Sequence, residues 1–299
     1  MAVELCGLCG SDAHIWRGDD GYEWVAVGRV LGHEVVGTVS ALGADVTGWC
    51  VGDRVVPIAQ TGCGRCEACE RDYANGCFEK LTLGLSRDGG AAPYVCVSAT
   101  AVVAVAAHVP PLTAVLTEPA SVAARAVSRG RIAASDTVAV SGPGAVGMLC
   151  AVMAHDLGAE VILVGTPADV EARGSLLQDL GIPIVASVPP GFTPDVWIEA
   201  AGAAALRSAA QALPVAARLV LVALYGSPPD AQLNVLVRRE IEVITSYSSF
   251  RPDYDRAVDV LSRHPDLGER LVQIFSAGQL ADAFEDIGRG AAVKVALAP

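Results

Sequence analysis

The stretch TVAVSGPGAVGMLCAVMAHDLGA, residues 137–159, restricts the fold more than any other part of the chain. An apolar run leads into Gly142, Gly144 and Gly147, spaced G-x-G-x-x-G, and then directly into a helical pattern that opens with Ala145 and Val146. Glycines at these places permit a tight turn and the close approach of a diphosphate, which meets the helix N-terminus. Alone the glycine pattern is weak; between a strand and a helix it is strong. Helical patterns alternate with short apolar strands from residue 122 onward: strand 137–141, a helix from 145, strand 160–164, a helix through 180, strands 183–186 and 196–199, helix 206–213 and strand 218–222. That alternation predicts a doubly wound parallel sheet.

Residues 1–121 have a different texture. Short strands and turns rich in Gly and Val, such as 35–42, 54–58 and 94–97, predict a mostly-β unit. After Tyr247 come a helix (254–262) and a last strand (292–297), which are expected to return to that first unit. The chain of 299 residues is long enough for two domains. Hydrophobic residues make up 52% of it and the mean hydropathy is +0.44, which suits a parallel sheet buried on both faces. A net charge of −12 without a basic cluster argues against nucleic acid as a partner. The most apolar stretch, 99–116, is broken by His108 and the Pro110-Pro111 pair and predicts no membrane span. The opening residues have no basic start, so no secretion signal is expected, and the cysteines point to a reducing cytoplasm.

Four of the nine cysteines fall in GCGRCEACERDYANGC. Cys63, Cys66, Cys69 and Cys77 form a C-x2-C-x2-C-x7-C array in a lobe spanning 62–78. Thiolates three positions apart can grip one ion from a tight turn, and four of them close a tetrahedral site with no place left for substrate. Zinc in a structural role is the expectation; free surface thiols and two disulfides are the competing readings, and the lobe alone could equally belong to a zinc ribbon.

A second set is open. Cys9, His33 and Glu34 offer a thiolate, an imidazole and a carboxylate, the three-ligand pattern of catalytic zinc. Asp12 would orient His33 by accepting its other ring N–H. The alternative is that Cys9 is buried filler and His33 a core histidine.

CGLCGSDAH at 6–14, GHE at 32–34, the four-cysteine lobe, EP at 118–119 and the glycine turn, in that order, resemble the zinc-dependent medium-chain alcohol dehydrogenase family, and most of all its sorbitol and threonine dehydrogenase-like branch. The resemblance runs over essentially the whole chain. It implies a GroES-like, mostly-β catalytic domain (1–121 and 250–299) and a Rossmann NAD(P)-binding domain (122–249). It implies one catalytic and one structural zinc, and a small-molecule secondary alcohol as substrate: a polyol, sugar or amino alcohol. Cys9 and His33 would be the catalytic ligands, Glu34 the adjacent carboxylate, and Glu118 an acidic group that binds the metal directly or through water. Ser11 and His14 would carry the substrate proton to solvent, since a histidine titrates near neutral pH. Lys294 matches a basic position near the cofactor phosphates; an ordinary edge-strand lysine is the alternative. Ile15, Trp16 and Tyr247 fall near pocket-lining positions.

At the end of the second strand Gly165 and Thr166 stand where an NAD enzyme usually carries an acid, and Arg173 follows a helical turn or two later, so the cofactor is NAD or NADP. The resemblance also implies a homodimer or homotetramer. In the family roughly thirty residues precede the first cysteine motif. A chain that truly began at Met1 would lack part of the first sheet and expose an edge. A non-catalytic relative with a regulatory or assembly role is the competing function.

Overall fold

The computed structural model describes residues 1–226 and 228–299. The chain opens with β1 (Ala2–Leu8), α1 (Gly10–Arg17), β2 (Glu34–Thr38), β3 (Arg54–Pro57) and β4 (Gln60–Thr61). It continues with α2 (Glu67–Glu70), β5 (Leu81–Thr82), β6 (Val102–Ala104), α3 (Pro111–Ala114) and α4 (Thr117–Arg129). The alternating part follows: β7 (Thr137–Ser141), α5 (Ala145–Asp156), β8 (Glu160–Val164), α6 (Pro167–Arg173), β9 (Ile184–Val185), β10 (Val196–Glu199), α7 (Ala203–Ala212), β11 (Arg218–Leu221), α8 (Leu233–Arg238) and β12 (Glu242–Thr245). The closing part is α9 (Arg251–Arg263), α10 (Leu267–Leu271), β13 (Val272–Ser276), α11 (Leu280–Arg289) and β14 (Lys294–Ala298).

These elements form two compact units, Met1–Ser121 with Ser248–Pro299, and Val122–Tyr247. The first holds a six-stranded sheet ordered β13-β14-β1-β2-β3-β6. β1 is antiparallel to both β14 and β2, so the opening segment is bonded on each side. The register sets Gly7 opposite Glu34. A Cβ on Gly7 would strike the Glu34 carboxylate and lie 2.9 Å from its Cβ, so glycine there makes room for an acid between strands. Leu5, Val36, Val56, Val103 and Tyr254 fill the core beneath.

The second unit is the expected doubly wound sheet, ordered β12-β11-β10-β7-β8-β9, with all its pairings parallel. The chain leaves β7 toward β8 and β9, then returns to lay β10 on the other side of β7. That reversal is where α/β sheets take ligands. α5 is apolar almost all round and Met148 to Ala154 are buried, so its sequence shows little amphipathic stripe.

Several boundaries move. The strand expected over 35–42 ends at Thr38; the Val39 N–H then donates to the Asp53 carbonyl, and the Val39 carbonyl accepts from the Gly52 N–H. Residues 94–97 form no strand; Tyr94 makes one isolated bridge to Ala2. The helix expected to run through Leu180 stops at Arg173, before Gly174, and a separate 3-10 turn covers Gln178–Leu180. No helix among the described residues is long and apolar enough to cross a membrane.

Candidate functional site

α1 begins immediately after β1, and its first turn builds one wall of the site. Asp12 is fully buried. Its Oδ2 accepts the backbone N–H of Cys9 at 2.8 Å and its Oδ1 that of Gly32 at 3.2 Å. One carboxylate thus ties the Cys9 turn to the residue before His33, which immediately precedes β2. The sequence reading had Asp12 accept directly from the His33 ring. The distance from Asp12 Oδ2 to His33 Nδ1 is 3.8 Å, an ion-pair separation, so Asp12 acts mainly through the backbone of the two ligand turns.

The donor atoms of Cys9, His33 and Glu34 lie within 4.8 Å of one another. His33 and Glu34 are buried. Two atoms here are orphaned: His33 Nδ1 and Glu34 Oε2 find no hydrogen-bond partner. A buried carboxylate oxygen without a partner is costly, and a cation at the cluster would satisfy it. Burial alone would lower the His33 pKa, but the Asp12 carboxylate and the Cys9 thiol outweigh it and hold the ring well above its usual value. The cluster therefore attracts positive charge. A soft thiolate, an imidazole and a carboxylate fit zinc and leave a position open.

Glu118 stands in the first turn of α4, outside this donor set. It remains within electrostatic reach: burial pushes its pKa up to about 7, with His33 opposing and Glu34 adding to the shift. Lys294 corrects the sequence reading. Its ammonium is buried in the first unit, donating to Glu34 Oε1 at 2.6 Å and to the Leu8 carbonyl at 3.1 Å. It is a counter-ion to a site carboxylate, and it is not on an edge strand, since β14 lies between β13 and β1. No local signal could have paired positions 34 and 294; only the antiparallel set β14-β1-β2 joins them.

Ser11 and His14 are three residues apart on α1 and so share a face. Ser11 is half-buried and His14 is exposed. The His14 ring stacks on Tyr22 and its Nδ1 lies 2.7 Å from Asp19 Oδ2. Trp16, half-exposed, stacks on Phe284 of α11, with centroids 5.0 Å apart.

The sulfurs of Cys63, Cys66, Cys69 and Cys77 also lie within 4.8 Å of one another. They are free thiols, which sets aside the disulfide alternative. The Arg65 backbone N–H, helped by the thiols of Cys77 and Cys66, lowers Cys63 to about 7. Cys66 caps the short helix α2, and the β4–β5 pair closes the lobe.

In the second unit Gly142 follows β7 with φ +92°, and a Cβ there would sit 2.8 Å from the Ala201 Cα. A Cβ on Gly147 would strike the Gly142 carbonyl. Gly144, the N-cap of α5, has nothing within 4 Å of its would-be Cβ, leaving the approach to Ala145 and Val146 at the helix start open. Thr166 caps α6, and its N–H and hydroxyl both donate to Asp169 Oδ2. Arg173 reaches back from α6 to the Pro143 carbonyl at 2.7 Å, beside Gly142 and Gly144. A Cβ on Gly165 would sit 2.8 Å from Pro143 Cγ, so β8 can end close to the glycine turn. Sequence reasoning missed Glu199, buried at the end of β10. Its signal was present: an acid in the otherwise apolar strand VWIE.

Removal of the Asp12 carboxylate tests its backbone role. Asp12→Ala is expected to weaken zinc binding at the open site by about 10–100-fold, while the four-cysteine site keeps its ion. Competition with a graded chelator reads the first, and residual zinc per chain the second.

Residues 1–107 match the Alcohol dehydrogenase GroES-like domain family. A sorbitol dehydrogenase from Halalkalibacterium halodurans is 31% identical, with the match covering all of this chain and 91% of the relative. A zinc-binding dehydrogenase structure from Sinorhizobium meliloti 1021, solved with NADP, superposes with a TM-score of 0.90 at 26% identity, covering 100% of this chain and 91% of that one. A structure described as a short chain alcohol dehydrogenase from E. coli CFT073, complexed with NADH, gives 0.87 at 27%, covering 100% and 90%. The glycine turn on a doubly wound sheet, the open three-donor cluster and these relatives agree: the chain belongs to the zinc-dependent medium-chain alcohol dehydrogenase family, in its sorbitol and threonine dehydrogenase-like branch.

Proposed function

We propose that this protein oxidises a secondary alcohol of the polyol, sugar or amino-alcohol class to the ketone, with NAD or NADP as hydride acceptor. The observation that carries this reading is the open donor set of Cys9, His33 and Glu34, with its orphaned Glu34 Oε2. Zinc held there supplies polarisation of the alcohol oxygen, and the dinucleotide held by the glycine turn supplies the oxidant. The chain's own residues do the rest. Asp12 fixes the Cys9 and His33 turns relative to each other. Lys294 holds one Glu34 oxygen and so fixes the orientation of the carboxylate. Ser11 takes the alcohol proton, and His14, exposed and partnered by Asp19, delivers it to water. Glu118 sits near the cluster as a further acidic group whose carboxyl titrates close to neutrality.

The four-cysteine lobe holds a second zinc with no open position and a structural role. Thr166 at the adenosine end carries no charge, which suits either dinucleotide. We assign a homodimer or homotetramer, assembled through the edge strand β12, where Val243 is exposed, and the zinc lobe, where Phe78 is exposed. A purely regulatory role is disfavoured, because the open donor set is present and the relatives are named as dehydrogenases.

The test is a panel of secondary polyols, sugar alcohols and amino alcohols with NAD and with NADP, followed by absorbance of the reduced nicotinamide. At least one alcohol should drive reduction, and a chelator that strips the open site should stop it. A protein loaded with zinc and dinucleotide that turns over no member of the panel would sink the reading.

A further inference from the structure

Glu199 ends β10 inside the second unit, and its carboxylate is fully buried. Three donors converge on it. Oε1 accepts the N–H groups of Ala201 and Gly202, both at 2.7 Å. Oε2 accepts the Tyr225 hydroxyl at 2.6 Å. Gly202 is the N-cap of α7, so the carboxylate also lies at a helix N-terminus, where negative charge is favoured.

The segment it holds is a shelf. Ala200 and Ala201 press against Gly142, whose would-be Cβ lies 2.8 to 2.9 Å from their backbone atoms. Ala200 N–H donates to the Ser141 carbonyl, one residue before Gly142. The Trp197 indole donates to the Ser141 hydroxyl at 3.1 Å from below. Gly142 sits at φ +92° on this shelf, and the turn it makes presents Gly144 and the start of α5. Tyr225 comes from the loop after β11. The carboxylate thus ties the C-terminal ends of β10 and β11 together and, through the shelf, supports the end of β7. These are three neighbouring strands at the point where the strand order reverses.

We propose that Glu199, oriented by Tyr225, is a positioning residue for the dinucleotide: it fixes the Ala200–Gly202 backbone against which the Gly142 turn is formed, and so sets the shape that receives the diphosphate. The proposal rests on the dinucleotide reading above, and its test needs no substrate. Burial and the neighbouring carboxylate both raise the Tyr225 phenol, so it remains the proton donor of the pair across the usable pH range.

The experiment is calorimetric titration of NAD and NADP into the zinc-loaded protein and three variants, with zinc content and melting temperature measured on the same samples. Tyr225→Phe removes the bond to Oε2 and leaves both N–H bonds to Oε1; its dissociation constant should rise several-fold. Glu199→Ala removes all three bonds and should weaken binding by about tenfold or more. Glu199→Gln keeps a side-chain oxygen for the two N–H groups and should recover most of the affinity. Zinc content should not change in any of them. A carboxylate that only caps α7 would lower the melting temperature of Glu199→Ala and leave cofactor affinity of the folded protein untouched, which overturns the proposal. Should Glu199→Ala fail to fold, unchanged affinity in Tyr225→Phe overturns it equally. A wild-type protein that binds neither dinucleotide overturns this inference together with the dinucleotide reading.

Discussion

Replacing Cys9 with alanine is expected to lower the zinc content from two ions per chain to one and to reduce alcohol-dependent cofactor reduction by about a thousandfold or more. The two clusters differ in what they can lose. The four-cysteine set supplies four donors of its own and has no reason to respond to a change at Cys9. The open set has three donors, one of them the only thiolate, and Glu34 is already shared with Lys294. Without Cys9 the ion would keep an imidazole and one carboxylate oxygen, and water would fill the remaining positions. Native mass spectrometry of the wild type and the variant reads the count directly. Two ions in both would move the second ion away from Cys9. One ion in both would mean that the open cluster does not retain zinc, and the hydride-transfer reading would lose its metal.

The candidate metal clusters were legible because the chemistry repeats in short range: C-x2-C-x2-C, GHE, and the cluster Cys9 to His14 each fit inside one turn or loop. The glycine turn was legible for the same reason. What the sequence hid lies at long range. Lys294 and Glu34 are 260 positions apart, and a single Lys in VKVAL looks like any strand lysine until β14 is laid beside β1. The role of Gly7 is equally silent, because what it avoids is a carboxylate on the next strand. Asp12 was singled out for the right neighbourhood and the wrong bond: its spacing from Cys9 is that of a helix cap, and cap geometry sends its oxygens to backbone N–H groups before a ring nitrogen. In the second unit the strands 137–141, 160–164 and 196–199 matched in full, since buried parallel strands read as apolar runs. α8 and β12 escaped notice. LNVLVR is short, and EVIT is an edge strand with one buried residue, Ile244, so neither has a strong period. α11, LADAFEDIGR, had a readable stripe: Ala283, Phe284 and Ile287 recur at helical spacing and pack with Leu297.

Lys294→Met should produce the largest stability loss of any single change at the site, and the size of that loss should depend on zinc. Both partners of the pair are nearly excluded from water, with Lys294 at 7% and Glu34 at 1% exposure, and their charged atoms are 2.6 Å apart. Removing one partner of such a pair leaves an uncompensated buried charge, at a cost of about 3–5 kcal/mol. Burial pulls the Lys294 pKa down, but Glu34, with Cys9 and Glu118, more than restores it, so the ammonium is charged and the pair is ionic. The Glu34 carboxylate offers one oxygen to the same cluster as Cys9 and His33. A divalent ion there is a second source of positive charge for the carboxylate. Denaturant titration of the chelated variant should therefore show the full loss, and the zinc-loaded variant clearly less. Adding Glu34→Gln to Lys294→Met removes the stranded charge and should return part of the stability in the chelated state, where the two changes are in contact and cannot be additive. A loss of equal size with and without zinc would separate Glu34 from the metal, and would leave Lys294 and Glu34 as a pair that only joins β14 to β2 across β1.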